Sequence, residues 1–312
     1  MSNNQEKFKT MIGGQALIEG IMMRGPEKQS IVVRSPEGLV VKTEPLKLVA
    51  QKYPILKLPL IRGIVGFGSS MINGVKALMY SAEFFPEEEG EPSKFDIWLE
   101  EKIGSEKMEK FVIYLAMIMG VAMSVGLFVL LPTFLAGFIP GLHGNYFLRN
   151  LVEGIVKIVI FMGYMIMVSQ MKDMKRVFSY HGAEHKTIRC YEAKLPLTVE
   201  NVRPMTRKHP RCGTSFLLVV ICISILMGAV IRVDNTFARM GLHLLLLLPI
   251  VAISYEFNRL VGRYDNWLTR ILTAPGQWMQ NFTTYEPDDS MIEVAIMALQ
   301  EVLPSEEGAD EW

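Results

Sequence analysis

The chain has 312 residues, half of them apolar, and its 32 Lys and Arg balance 32 Asp and Glu. Zero formal charge argues against a whole-protein nucleic-acid binder. Three cysteines, with Cys222 inside an apolar run, exclude a disulfide framework and point to a reducing compartment.

The opening MSNNQEKFKT has no apolar core, so no cleavable signal peptide is expected. In GGQALIEGIMMRGP the glycines Gly13, Gly14, Gly20 and Gly25 have the spacing of a backbone that bends or packs closely. No Gly-Lys-Ser/Thr follows, so this is not a phosphate loop. Ile31–Arg34 and Leu39–Thr43 are β-rich runs joined by a Ser-Pro-Glu-Gly turn, making residues 1–50 a small β-containing element.

Residues 55–85 are apolar and rich in small side chains, but only 13 residues between Arg62 and Lys76 are uncharged. That is about 20 Å of helix, short of a 30 Å hydrocarbon core. The segment is expected to lie on the membrane surface or against the bundle, with a re-entrant path as the alternative, and Gly63, Gly66, Gly68 and Gly74 permit close approach. An acidic linker follows at 86–108.

Residues 109–262 hold four expected membrane spans. From Phe111 to Leu148 there is no charged residue, which places the first span at 111–132, ended or kinked by Pro132 and Pro140. The second runs over 151–171, where Glu153 and Lys157 have the spacing to pair. The third and fourth cover 215–231 and 240–257. Residues 172–211 carry ten Lys or Arg, whereas the connection between the first two spans carries Arg149 alone. Positive charge stays on the inner side, so loop 172–214 and both termini are expected to be cytoplasmic.

Within that loop the sequence YHGAEHKTIRCYE places His181, Glu184 and His185 on one side of a helix, with Glu192 two turns on. Two imidazoles four residues apart can grip one divalent ion, zinc above all, and the H-x-x-E-H order sets Glu184 as the base beside it. His209, in the His-Pro-Arg-Cys-Gly-Thr-Ser run at 209–215, is the first choice as third ligand. Glu256, at the inner end of the fourth span, is the second, with a salt bridge to Arg259 as its alternative role. Cys212 is either a thiolate ligand or an inert boundary thiol. Cys190 faces away from His181, and His143 and His243 are packing or hydrogen-bonding residues.

The C-terminal region 263–312 is read as amphipathic helices and an acidic tail. Residues 286–312 hold nine Asp or Glu and no Lys or Arg. Ser290 and Glu293 have capping-box spacing, and Met291, Val294, Ala295, Ala298 and Val302 form one helical stripe, expected to cover the domain's own surface.

MIGGQALIEGIMMRGP, SYHGAEHKTIRCYE, LTVENVRPMTRKHPRCGTSFLLVV and DDSMIEVAIMAL together resemble the YqhQ-like family of bacterial membrane proteins over nearly the whole chain. The resemblance implies a multi-span bacterial plasma-membrane protein, described as a predicted metal-dependent enzyme, with its metal site at His181, Glu184 and His185. No reaction comes with it. The expected fold is thus an all-α polytopic membrane protein, four transmembrane helices plus an interfacial helix, with a small N-terminal β-containing cytoplasmic element.

Two function classes follow. One is a metal-dependent hydrolase acting at the cytoplasmic interface on a lipid-linked or peptide substrate, with Glu184 as base. The other is a non-enzymatic scaffold whose basic loop 172–211 binds anionic lipid or the ribosome and membrane-insertion machinery. A transporter would need a homo-oligomer, since four spans make a narrow bundle with few charges. The lipid bilayer, a second copy or another membrane protein are the partners expected.

Overall fold

The computed structural model describes residues 8–46, 53–85, 105–142, 144–264, 266–306 and 308–311. Residues 86–104 of the acidic linker and His143 lie outside the described residues, and the end of that linker, 105–108, is helical. The chain divides into two compact units, one of residues 1–85, 164–223 and 248–312, the other of residues 86–163 and 224–247.

The first unit is built on a four-stranded antiparallel sheet in sequence order: β1 (Gly13–Leu17), β2 (Gly20–Arg24), β3 (Lys28–Ser35) and β4 (Gly38–Pro45). The β3–β4 hairpin forms where the Ser-Pro-Glu-Gly turn predicts it, and Gly38 takes φ +135°, which a side chain would strain. The β1–β2 hairpin is a further element, closed by Ile18 and Glu19 with Glu19 at φ +48°. No Asn-Gly or Asp-Gly marks this turn in the sequence, so its strands read only as glycine-spaced chain. The glycines do permit close packing: a Cβ on Gly20 would meet the Val32 carbonyl oxygen at 2.5 Å.

Period-two alternation sends the side chains to two layers. Ile21, Met23 and Val32 face a core shared with α4 (Lys172–Glu192) and α9 (Asp289–Gln300). Leu17, Met22, Ile31 and Val33 face α1 (Ile61–Ala82) through Ala77, Tyr80 and Phe84. The stripe Met291, Val294, Ala295, Ala298 and Val302 is fully buried in the first of these cores, so α9 does cover its own domain. Its N-cap is Asp288, which accepts from the Met291 N–H at 3.0 Å; Ser290 donates to that same carboxylate rather than capping the helix. Gly63 and Gly66 of α1 pack on Tyr255 and Gly74 on Gln15, whereas Gly68 meets nothing within 4 Å.

Three helices among the described residues are long and apolar enough to cross a membrane: Phe111–Gly137, Tyr146–Gln170 and Thr236–Arg263. The first belongs to α2, which runs through Ser105–Val125, a π-turn at Gly126–Leu130 and Leu131–Gly137. Pro132 does not end this helix, as its sequence position suggests; the wide turn before it leaves Pro132 in the first turn of the continuing segment, where its missing N–H costs least. The other two are α3 (Tyr146–Gln170) and α7 (Thr236–Arg263). A short α5 (Val199–Val202) and α6 (Gly213–Gly228) lie between them; α6 is apolar throughout but 16 residues long. α8 (Trp267–Thr283) follows α7 and opens with a capping box from Asn266.

In the second unit, buried charge gathers where α3, α6 and α7 meet. Glu153 accepts from Arg239 Nε at 2.7 Å, from Arg149 Nε at 3.3 Å and bonds His243 Nε2 at 3.2 Å. The pairing of Glu153 with Lys157 suggested by their spacing gives way to this arrangement, and Lys157 donates to the Ser224 hydroxyl at 3.0 Å. Two guanidiniums outcompete one ammonium because their planar forks also reach backbone: Arg149 the Asp234 carbonyl and Arg239 the Ile231 carbonyl.

Candidate metal centre

The site lies within the first unit. On α4, His181 and His185 stand one turn apart with ring centroids 4.4 Å apart. The loop after α5 turns back to place Cys212 beside them, immediately before α6 begins at Gly213. One donor atom from each of His181, His185 and Cys212 lies within 4.8 Å of the others. That separation suits ligands around a tetrahedral zinc, whose bonds to nitrogen and sulfur run about 2.0–2.3 Å.

The ring orientations are held from outside. His181 Nδ1 lies 2.8 Å from the Thr283 carbonyl oxygen, and His185 Nδ1 lies 2.6 Å from that of Arg207. A carbonyl only accepts, so each Nδ1 carries a proton, and Nε2 is the atom each ring turns toward the cluster. His181 Nε2 points at the Cys212 sulfur 3.2 Å away. A divalent cation at this point would replace the proton between ring and sulfur and take both Nε2 atoms and the sulfur as ligands.

Charge at the cluster runs the same way. Burial works against the Cys212 thiolate, but His181 and His185 hold its pKa well below an ordinary thiol's. Burial also opposes a charged His181, yet the Cys212 sulfur lifts that ring to about 9. Cys212 also approaches the Thr214 hydroxyl at 3.1 Å and accepts from the Thr214 N–H. The thiolate is the form that binds metal.

Glu184 is buried next to the pair. Its Oε1 accepts from the Gly14 N–H of β1 at 3.0 Å, and its Oε2 is buried with no hydrogen-bond partner among the described residues. A buried carboxylate oxygen without a partner costs free energy, which a hydrogen-bond donor or cation entering the cluster would offset. Burial raises the pKa of this carboxyl, with His181 and His185 opposing. A Cβ on Gly14 would meet the Met22 carbonyl oxygen at 2.7 Å and press on the Glu184 carboxyl carbon at 3.1 Å, so glycine suits this approach. A cavity of about 350 Å³ opens onto the cluster, lined also by Arg24, Gln15 and Asn73.

His209 and Glu256 stand differently from what their sequence positions suggest. The His209 ring lies 5.6 Å from that of His185, but its Nε2 turns to Glu192 at 3.4 Å, and burial presses its pKa down to about 4. Glu192 is meanwhile held by Arg211 and the Thr10 N–H. His209 thus buttresses the cluster, its backbone clamped by Gln280 of α8 at 2.8 and 2.7 Å. Glu256 is hydrogen-bonded by Arg62 of α1, with Arg259 adding electrostatic attraction to the same carboxylate. The backbone supports, Gly14, Arg207 and Thr283, leave no trace in side-chain spelling. Cys190 is buried and turned to the Leu195 and Pro196 carbonyls.

The basic loop is largely engaged within the chain. Lys186 and Arg207 pair with Glu286, Arg203 with Asp289, Arg211 with Glu192 and Arg176 with Glu19. Glu286 and Asp289, in the acidic stretch after Thr284, supply the counter-charge to Lys186, Arg207 and Arg203.

These features define a membrane protein whose β-sheet unit carries a buried His–His–Cys cluster beside a lone carboxylate. The chain belongs to the DUF1385 family, described as a protein of unknown function, whose match covers residues 58–305. It is 32% identical over 305 residues to the uncharacterized protein YqhQ of Bacillus subtilis (strain 168), spanning 96% of this chain and 94% of that relative. No solved structure matches.

Proposed function

We propose that this protein is a metal-dependent hydrolase, with His181, His185 and Cys212 holding one zinc ion and Glu184 serving as general base. The observation that carries it is the pair of imidazoles whose Nδ1 atoms are both taken by carbonyls, which turns the two Nε2 atoms toward the Cys212 sulfur. Zinc bound there would supply a Lewis acid and an acidified water. Glu184, with one oxygen fixed by Gly14 and the other unengaged, would take a proton from that direction and return it to a leaving group. Arg24, in the cavity wall, supplies a cation to hold an anionic part of a lipid-linked or peptide substrate.

The topology we propose has four crossings, with the sheet, the cluster and both termini on the cytoplasmic side of a bacterial plasma membrane. Supporting the fourth crossing, the end of α6 packs on the start of α3: Asn150 donates to the Ile225 carbonyl at 3.1 Å and Gly154 faces Ile225. The ten Lys and Arg of residues 172–211 support the orientation. A scaffold reading, with that loop binding anionic lipid or the ribosome, draws less support because half of those cations already have carboxylate partners in the chain.

Elemental analysis of detergent-purified protein tests the centre. About one zinc per chain is expected, lost in His181→Ala and His185→Ala and kept in Glu184→Gln. Metal-free protein in which Cys212 alone reacts with an alkylating agent would replace the metal centre with a thiolate–imidazolium pair.

A further inference from the structure

α8 divides its circumference into three faces. At 100° per residue, Trp267, Trp278, Ile271 and Leu268 fall within one arc, and all four are exposed, Trp267 at 73% and Trp278 at 55%. Thr269, Gly276, Met279, Gln280 and Thr283 form a second arc and are buried in the protein. Arg270, Thr273, Gln277 and Asn281 make up the third, which is polar. A helix with one apolar, one polar and one protein-facing side has the partition of a helix lying in the plane of a lipid–water boundary.

Chain connectivity says what covers the apolar side. α7 is long and apolar enough to cross the membrane and ends at Arg263, and α8 starts at Trp267. Three intervening residues span at most about 10–14 Å, so α8 begins at the membrane surface. Two tryptophans on the apolar arc match the residue type enriched at that depth.

We propose that α8 lies flat in the bilayer interface, with Trp267, Ile271 and Trp278 among the upper acyl chains, and that the lipid surface is the partner of this face. The consequence reaches the cluster. The Thr283 carbonyl at the end of α8 orients His181, and Gln280 clamps the backbone of His209. The His181 side chain therefore sits within about one helix diameter, 10 Å, of an element immersed in head groups, so its cavity lies where amphiphiles present their polar ends. The argument is independent of whether the cluster holds a metal.

Trp278 is made the only tryptophan by changing Trp98, Trp267 and Trp312 to Phe in the full chain, reconstituted at one copy per nanodisc. Lipids brominated near the top of the acyl chain are expected to halve its emission, about twofold, while aqueous iodide leaves it unchanged. A Trp-free background carrying Arg270→Trp, on the polar arc, is expected to show the reverse and confirms folding of the series. Quenching of Trp278 by iodide and not by lipid would overturn the proposal with the face in water. Protection from both would overturn it with the face under protein, and protection appearing only at two copies per disc would assign it to a second copy.

Discussion

His181 and Cys212, 31 residues apart in sequence, face each other with Nε2 and sulfur 3.2 Å apart. The contact exists because the Thr283 carbonyl holds the far side of the same ring, so the imidazole is clamped between the end of α8 and the start of α6. Cys212, rather than His209, completes the three-atom group.

Metal content separates the two assignments. Cys212→Ala is expected to lower bound zinc by at least about tenfold, since removing a ligand costs more than the 10–100-fold of a supporting residue. His209→Ala is expected to retain most of it, with affinity reduced. Inductively coupled plasma analysis of the two purified variants beside the parent decides.

Gly182 sits between His181 and His185 on α4, and a Cβ there would run into the Tyr285 carbonyl oxygen. That oxygen belongs to the strand-like segment that also presents Thr283 to His181, and Tyr285 itself donates to the Phe178 carbonyl at 2.9 Å. Gly182→Ala is therefore expected to cost about 1–3 kcal/mol through overpacking. Thermal unfolding in detergent measures it, and zinc content should fall in parallel.

The charge cluster of the second unit makes a contrasting pair of variants. Glu153→Gln leaves the fully buried Arg149 and Arg239 without their carboxylate and is expected to cost about 3–5 kcal/mol. Arg203→Gln breaks the pair with Asp289, whose side chains are 57% and 56% exposed, and is expected to cost less than about 1 kcal/mol. Unfolding midpoints of both proteins check the order.

The cap of α9 carries a pH signature. Burial works against the Asp288 carboxylate, but the Ser290 hydroxyl and the Met291 N–H hold its pKa below the ordinary value. A depressed folded value contributes stability above the unfolded aspartate value of about 3.9 and loses it as pH falls through the folded value. Asp288→Ala is expected to be less stable than the parent by about 1 kcal/mol near neutrality, with the gap narrowing below about pH 4. Parallel unfolding curves across that range test the sign.

Much of this architecture was readable from residue order alone, wherever the physics is local. Uncharged runs from Phe111 onward mark helices long enough for a bilayer, a Pro-Glu-Gly turn marks a hairpin, and the spacing of His181, Glu184 and His185 puts them on one helical side. The stripe on α9 announced a face to be buried, because amphipathic periodicity encodes burial without naming the partner.

Tertiary structure decided the partners. Glu153 took Arg239 of α7 and Arg149 of its own helix over Lys157, and Glu256 took Arg62 of α1 as its hydrogen-bonded partner, because planar guanidinium forks met these carboxylates with better geometry than spacing along one helix suggests. Cys212 joined His181 and His185 because a loop folded back through Arg207, and Glu184 was fixed by the bare backbone of Gly14. Such choices depend on distances between segments far apart in the chain and on carbonyl and amide groups that every residue carries alike, so periodicity and composition have no means of recording them.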